Sequence, residues 1–477
     1  VLSCLKTPRL FRPNDAPAEP HDARHPGDLT MPALIAPRER DAAIQALRAG
    51  VVPRLGIRHV QVGRSREVEE VIRDMGRIAE GGSAVRFVIG EYGSGKTFFL
   101  TLARNIAAEK KLVIMHADLS PERRLYASDG KARTLCAELV LSMSTRTKPD
   151  GGALASVVER FLGDVRKIAA AESRPTEVVI RERLETIREG VAGFDFAEVV
   201  VRYWQGFEEG DETLKAAALR WLRAEYTLKT EARDALGVRT IVDDAGVYDH
   251  LKAISRLVHL AGYDGTLIVL DELVNLYKLV NSQSRTANYE QILRIVNDVL
   301  QGTAERIGFY FGGTPDFLMD TRRGLFSYEA LRSRLAENSF ARDGLVDLSG
   351  PVVRLQSLTP DEMQVLLERL RLLWAGGDTQ NLPLPDEALP AFLQHCSKKI
   401  GDDYFRTPRN TIRAFLDLLA ILEQNPGSDW PTLLGAVEVK RDVPMQQPDV
   451  DDDLTGFSIA QPGAGETASA DGLATFH

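Results

Sequence analysis

The chain has 477 residues, 44% hydrophobic and 27% charged, enough for two or three domains around a large core. No run approaches the roughly 18 apolar residues of a membrane span, residues 1–30 hold no apolar signal segment, and Cys4, Cys136 and Cys396 are too far apart for a metal motif or disulfide framework. This excludes a disulfide-built secreted scaffold and a membrane partner, and a cytoplasmic protein is expected. The net charge is −9, and residues 442–477 carry seven acids with no Lys or Arg; without those seven charges −2 remains, so a DNA-binding surface would have to be a local basic stripe.

Residues 1–37 are Pro-rich, polar and without periodicity, and read as a disordered N-terminal extension. Met31 stands just before the first helical pattern, and natural translation is expected to start there. A short amphipathic helix is predicted from Arg38 to Ala49, stopped by Gly50-Val-Val-Pro53. Gly63-Arg64 then leads into a helix from Glu67 to Glu80.

The strongest signal follows. Val85-Arg-Phe-Val-Ile89 is an apolar strand, Gly90-Glu-Tyr-Gly-Ser-Gly-Lys96-Thr97 matches G-x-x-x-x-G-K-[ST], and Phe98 to Ala107 reads as a helix. Strand, glycine loop and helix are the context of a P-loop. Gly93 and Gly95 let backbone N–H groups turn inward toward phosphate oxygens, and the helix N-terminus adds partial positive charge. The expected nucleotide contacts are Gly90, Glu91, Tyr92, Gly93, Ser94, Gly95, Lys96, Thr97 and Phe98, with Lys96 on the β- and γ-phosphates and the Thr97 hydroxyl on Mg²⁺. These residues call for ATP and Mg²⁺ as cofactors.

Lys111 to Asp118 reads as the second strand. Lys96 and Asp271 stand 175 positions apart, well beyond what βαβ units of roughly 30 residues require. An insertion over 120–260 is therefore expected, between core segments 38–119 and 261–350. It reads as helical, with apolar spacing over Ala132–Ser144, Leu154–Glu172, Val178–Glu189, Ala197–Phe207 and Thr213–Arg233. Within it Ala216 to Tyr226 mixes Arg220 and Arg223 with Trp221 and Tyr226, which fits a DNA or partner face and equally an ordinary amphipathic helix.

Thr266-Leu-Ile-Val-Leu-Asp271-Glu272 is an apolar strand ending in two carboxylates, as in the centre of a parallel sheet covered on both faces. Ligands gather at the C-terminal ends of such strands. Asp271 is the expected metal ligand and Glu272 the general base, an arrangement that points to hydrolysis. A helix over Tyr289–Thr303 and a strand over Arg306–Thr314 follow. Thr314 could touch the γ-phosphate or the attacking water, or simply form a Gly-Thr-Pro turn. Arg332 and Arg334 come next. Either could reach a neighbouring subunit's γ-phosphate, with Arg334 preferred, or lie in a surface charge pair.

Residues 351–436 read as a helical lid. Thr359-Pro360-Asp361-Glu362 supplies an N-cap, a first-turn proline and acids before a helix to Leu373. Arg409 opens a later helix, either folded back onto the phosphates or facing solvent. The tail, 437–477, is acidic and reads as disordered; Asp451 to Ile459 inside it is either a docking motif or inert.

The order P-loop, Asp-Glu strand, polar-ended strand, arginine segment and lid resembles an AAA+ ATPase of the initiator and helicase-loader type. The wording around Arg86 to Leu100, with Ala46 to Gly56 and Val62-Gly-Arg64 upstream, is similar to the BrxC/BrxD ATP-binding family of BREX phage-defence systems. The likeness spans roughly Arg38 to Leu419 and, by size, is nearer to BrxD than to the larger BrxC. It implies an α/β P-loop NTPase fold (AAA+/ASCE) with a parallel sheet, helical insertion and helical lid. Implied also are a homo-oligomer and ATP hydrolysis coupled to DNA, with a helicase or another defence protein as partner. Gly63-Arg64 would sit beside the adenine, Thr314 would be sensor 1, Arg334 the trans arginine and Arg409 sensor 2. The competing reading is a slow nucleotide-gated switch that recruits a protein partner without responding to DNA. No G-x-S-x-G elbow and no histidine pair at metal spacing offers other chemistry.

Overall fold

Five short strands build one sheet in a computed structural model that describes residues 34–187, 193–338, 347–400 and 408–436. They are β1 (Ser83–Ile89), β2 (Leu112–Asp118), β3 (Gly265–Asp271), β4 (Ile307–Gly313) and β5 (Val352–Arg354), in the order β2-β3-β4-β1-β5, all parallel. β1, β3 and β4 are buried along their whole length, because parallel strands carry helices on both faces. Val85, Phe87 and Ile89 of β1 enter one core while Ala84 and Val88 enter another, the two-residue alternation of a strand.

Helix α1 (Pro37–Arg48) precedes α2 (Ser65–Ala79), and α3 (Lys96–Glu109) follows the P-loop. Met75 and Ile78 of α2 and Phe99, Leu100 and Ala103 of α3 form the core on one sheet face. A buried polar cluster binds α2 to the sheet. Arg86 of β1 grips Asp74 through both sides of its guanidinium, at 2.6 and 2.8 Å, and the Tyr310 hydroxyl donates to the same carboxylate at 2.7 Å. The guanidinium also donates to the carbonyls of Leu348 and Gly350, just before β5.

The connection from β2 to β3 is entirely helical: α4 (Lys131–Leu141), α5 (Leu154–Glu172), α6 (Thr176–Arg183), α7 (Gly193–Glu209), α8 (Glu212–Leu222), α9 (Lys229–Leu236) and α10 (Val247–Leu260). Its apolar side chains, among them Val157, Phe161, Trp221 and Leu251, belong to one core with Phe87 and Ile268 of the sheet. The segment thus packs onto the second sheet face. The helix expected over 213–233 is two helices. The chain turns at Ala224, whose φ is +57°, and its N–H and that of Glu225 cap the carbonyls of Trp221 and Arg220. Trp221 and Tyr226 are buried, and Arg220 stacks on Tyr226 and pairs with Glu231. Packing accounts for the Arg-aromatic stretch there. α6 ends short of the expected Glu189 and continues as a 3₁₀ turn, Glu185–Ile187; Glu189 itself lies outside the described residues.

Beyond β3 come α11 (Val274–Tyr277), α12 (Ser282–Leu300), α13 (Pro315–Met319) after β4, and α14 (Glu329–Arg334). β5 lies where the sequence reading began the helical lid at 351, and pairs with β1 over Phe87–Ile89. Then α15 (Pro360–Trp374), α16 (Ala388–Ile400), α17 (Pro408–Gln424) and α18 (Trp430–Ala436) gather with α1 around a third core. Thr359 and Glu362 close the capping box at the start of α15, bonding each other's backbone N–H at 3.2 and 2.8 Å. The N-terminal extension up to residue 33, the acidic tail from 437 and its motif at 451–459 lie outside the described residues.

Candidate nucleotide site

The P-loop rises from the C-terminal end of β1. Gly93 and Gly95 have φ of +80° and +86°, a conformation most other residues resist. Gly90 is needed for another reason: a Cβ there would lie 2.3 Å from Ser94 Oγ. Lys96 opens α3, and its ammonium donates to the carbonyls of Gly90 and Glu91 at 2.9 and 3.0 Å. Burial lowers its pKa, against the opposing pull of Asp271, Glu272 and Glu91.

The second half of the site comes from β3, two strands away from β1 with β4 between them. Thr97 Oγ1 donates to Asp271 Oδ2 at 2.9 Å. Asp271 also accepts the backbone N–H of Glu272 at 2.8 Å. Room for this carboxylate is made by β4, since a Cβ on Gly312 would fall 2.1 Å from Asp271 Oδ1. Glu272 has φ of +60°, a left-handed backbone that costs about 1–2 kcal/mol in a residue with a Cβ. Such strain gathers at functional sites. Its carboxyl pKa is raised, first by burial and then by the charges of Asp271 and Asp118, with Lys96 opposing. Asp118 is a carboxylate that the sequence reading missed. It ends β2 directly opposite Asp271 in the register, and its own pKa is raised by partial burial and then by Asp271.

These groups line one end of a cleft of about 1040 Å³. Glu91 to Phe98, Asp271, Glu272, Gly312, Gly313 and Thr314 form the polar end. The other end is apolar, built from Leu47, Val51, Val52, Val60 and Val62 before the P-loop and from Leu358, Leu366 and Ile412 of the lid. Such a cleft, polar at one end and apolar at the other, fits a phosphorylated base. Among the described residues no group of three or more His, Cys, Asp or Glu could hold a metal ion, so a cation here would lean on Thr97, Asp271 and phosphate oxygens.

Arg64 joins the two ends. One guanidinium nitrogen, Nη2, donates to Ser94 O of the P-loop at 2.6 Å and to Gln356 O beyond β5 at 3.1 Å. The other, Nη1, is buried without a hydrogen-bond partner, and burial lowers the group's pKa. Arg64 also lines the cleft, so the Gly63-Arg64 pair is a strap on the P-loop as well as the turn before α2.

Thr314 lines the cleft and also N-caps α13, accepting the Phe317 N–H at 3.3 Å. Arg409 lines it from the start of α17, beside Gly50. Arg334 is not among the residues gathered there. Its guanidinium is bound within the chain, to Asn297 Oδ1 at 2.5 Å and Ala330 O at 2.7 Å. Arg332, one turn face away, is exposed and meets only Glu329, at 3.8 Å. The preference for Arg334 over Arg332 therefore loses its support: a side chain spent on fixing α14 to α12 is poorly free to reach a neighbour.

With this geometry in hand, comparison with known families finds one match: the model of the BREX system ATP-binding protein BrxC/D covers residues 35–438. No curated protein matches the chain.

Proposed function

The chain belongs to the BREX system ATP-binding protein BrxC/D family, and we propose that it hydrolyses ATP with Mg²⁺ and couples the cycle to DNA, as a motor or a helicase loader. The observation that carries the hydrolytic reading is the Thr97–Asp271 hydrogen bond with Glu272 next in sequence. It joins the phosphate loop to a carboxylate pair at the C-terminal edge of the sheet. Lys96 and the loop N–H groups hold the β- and γ-phosphates. The Thr97 hydroxyl and Asp271 carboxylate are hard oxygen donors suited to Mg²⁺, which when bound neutralises charge on the phosphates. Glu272 orients a water and takes its proton as the water oxygen bonds to the γ-phosphorus. The bond from that phosphorus to the β-bridging oxygen breaks, leaving ADP and phosphate.

Completion of the site by an arginine from a neighbouring copy is part of this reading, and makes the protein an oligomer when active. We assign that role to Arg332, because it is exposed on α14 while Arg334 is engaged with Asn297. Arg332→Ala should cut turnover by roughly 10³-fold, the lower end of the GTPase precedent, and leave ATP affinity unchanged in equilibrium binding. Full turnover in this variant would remove Arg332 from the site.

The test of the whole reading is steady-state ATP hydrolysis with Mg²⁺, alone and with single-stranded, duplex and forked DNA, using Lys96→Ala as the blank. DNA should stimulate hydrolysis, and less so as salt rises. Turnover no higher than the blank would overturn the hydrolase. Turnover indifferent to every DNA would leave the hydrolase standing and favour a switch that answers to a protein.

A further inference from the structure

β2 is an edge strand. It pairs with β3 on one side, and on the other only an isolated antiparallel bridge from Ile114 to Ser144 approaches it. Six cationic side chains collect along this edge. Arg54 comes from the loop after α1 and Arg104 from α3, which packs on β2. Lys110 and Lys111 form the turn from α3 into β2. Arg146 and Lys148 follow Ser144, where the chain runs antiparallel to β2 and so back toward its start.

None of the six makes a side-chain hydrogen bond or ion pair among the described residues, though ion pairs are common elsewhere on this protein. Arg86 has Asp74, Arg294 has Asp249 and Arg371 has Asp386. Arg104 is the informative member. It is half-buried, and its closest electrostatic neighbour is another cation, Arg54; burial and that repulsion push its pKa down to about 10, with Asp118 opposing. The same two arginines, after burial, depress His116 to about 4, so the imidazole is neutral, and its Nδ1 is buried without a partner. Placing a guanidinium half out of water beside another one is costly unless an anion arrives to share both.

The row is extended. β2 has seven residues, which at about 3.3 Å each span roughly 20 Å, and the cations run from the His116 end to the Lys111 end. A DNA strand presents a phosphate about every 3.4 Å of helix axis, so a line of cations matches its backbone better than it matches a compact anion. Glu109, Asp118 and Asp150 are the carboxylates on the same edge. Asp118 belongs to the rim of the nucleotide cleft, opposite Asp271, so the upper end of the row adjoins the catalytic carboxylates.

We propose that the β2 edge, carrying Arg54, Arg104, Arg146 and Lys148 with Lys110 and Lys111, is a track for the DNA phosphate backbone. This rests on the DNA-linked reading above and gives that reading a surface. The test is fluorescence anisotropy with labelled oligo-dT and a labelled duplex over a salt series. It compares wild type, Arg54→Gln/Arg104→Gln/Arg146→Gln/Lys148→Gln, and a control of equal charge change on the insertion, Arg174→Gln/Arg181→Gln/Lys215→Gln/Arg220→Gln. The edge variant should bind at least about tenfold more weakly. Its log–log salt slope on oligo-dT should fall by roughly 3, four contacts at about 0.7 each. The control should stay near wild type, and fluorescent ATP should bind all three alike. Lys148→Glu, on an exposed side chain that leaves the fold intact, should alone weaken binding severalfold. An edge variant and a Lys148→Glu protein that bind DNA as wild type does would overturn the track and spare the DNA-linked reading. Equal losses in edge variant and control would reduce the effect to bulk charge and also overturn the track. Wild type that binds neither DNA at low salt would bring down the DNA-linked reading and the track together.

Discussion

The two ends of the cleft obey different rules. At the phosphate end each position is fixed by a distance: a methyl group at Gly90 or Gly312 would collide with Ser94 Oγ or Asp271 Oδ1, and Thr97 must meet Asp271. At the apolar end the requirement is only a greasy wall, and it is met by side chains from α1, the loop before α2, α15 and α17. Directional chemistry constrains residue identity, whereas apolar contact constrains mainly volume. Substitutions should therefore act sharply at one end and gently at the other.

The largest effect is expected at Glu272. Glu272→Gln should lower the turnover number by about 10²–10⁴-fold while ATP binding survives, measured by single-turnover and equilibrium assays. Because its folded pKa is raised, this carboxyl stays protonated to higher pH than an ordinary glutamate, so wild-type turnover should fall on acidification sooner than a carboxylate with the usual pKa would dictate. The same shift has a stability sign. The stabilisation associated with the neutral form is complete below the unfolded pKa and is lost as pH rises through the folded one. Glu272→Gln should accordingly melt higher than wild type at neutral pH, and an unchanged or lower Tm would contradict the burial argument.

Gly312→Ala comes second. The added methyl must displace Asp271 or Leu100, at a cost of about 1–3 kcal/mol for overpacking. Both Tm and hydrolysis should drop, whereas Gly350→Ala, where a Cβ meets nothing within 4 Å, should change neither. Third is Arg64→Ala, which frees the P-loop from the segment after β5. An approximately tenfold rise in KM, with partial recovery in Arg64→Lys, would match loss of a charged hydrogen bond of about 1.5 kcal/mol; no change would demote the strap. Val52→Ala at the apolar end should be mildest, raising KM severalfold by loss of about 1 kcal/mol of apolar contact with kcat unaltered. If Val52→Ala were instead as damaging as Gly312→Ala, the contrast between the two ends would collapse.

The same contrast explains what could be read from the sequence. Gly90 to Thr97 announces itself because its constraints fall on neighbouring residues, and Asp271-Glu272 because it terminates an uninterrupted apolar strand. Asp118 ends a strand in the same manner, yet only the register opposite Asp271 gives it meaning. Gly312 looks like any loop glycine until Asp271 is placed against it. β5 has three residues, too few for an alternation to register. The break between α8 and α9 carries no glycine or proline; Ala224 adopts the left-handed turn because tertiary packing, with Trp221 Nε1 donating to Thr240 O at 2.9 Å, outweighs local preference. Arg334 was indistinguishable from Arg332 by sequence, since the difference lies in Asn297, 37 positions away.

The cluster of Asp74, Arg86 and Tyr310 has a consequence on an evolutionary scale. Asp74 is fully buried, Arg86 and Tyr310 nearly so, and each hydrogen-bonds through the one carboxylate. Loss of either charged member alone strands the other, at about 3–5 kcal/mol, a large part of a domain's stability margin. An apolar trio of similar volume would be tolerated, but no single-step path leads there. The three positions are locked to one another, and relatives that have changed one should be found to have changed the set.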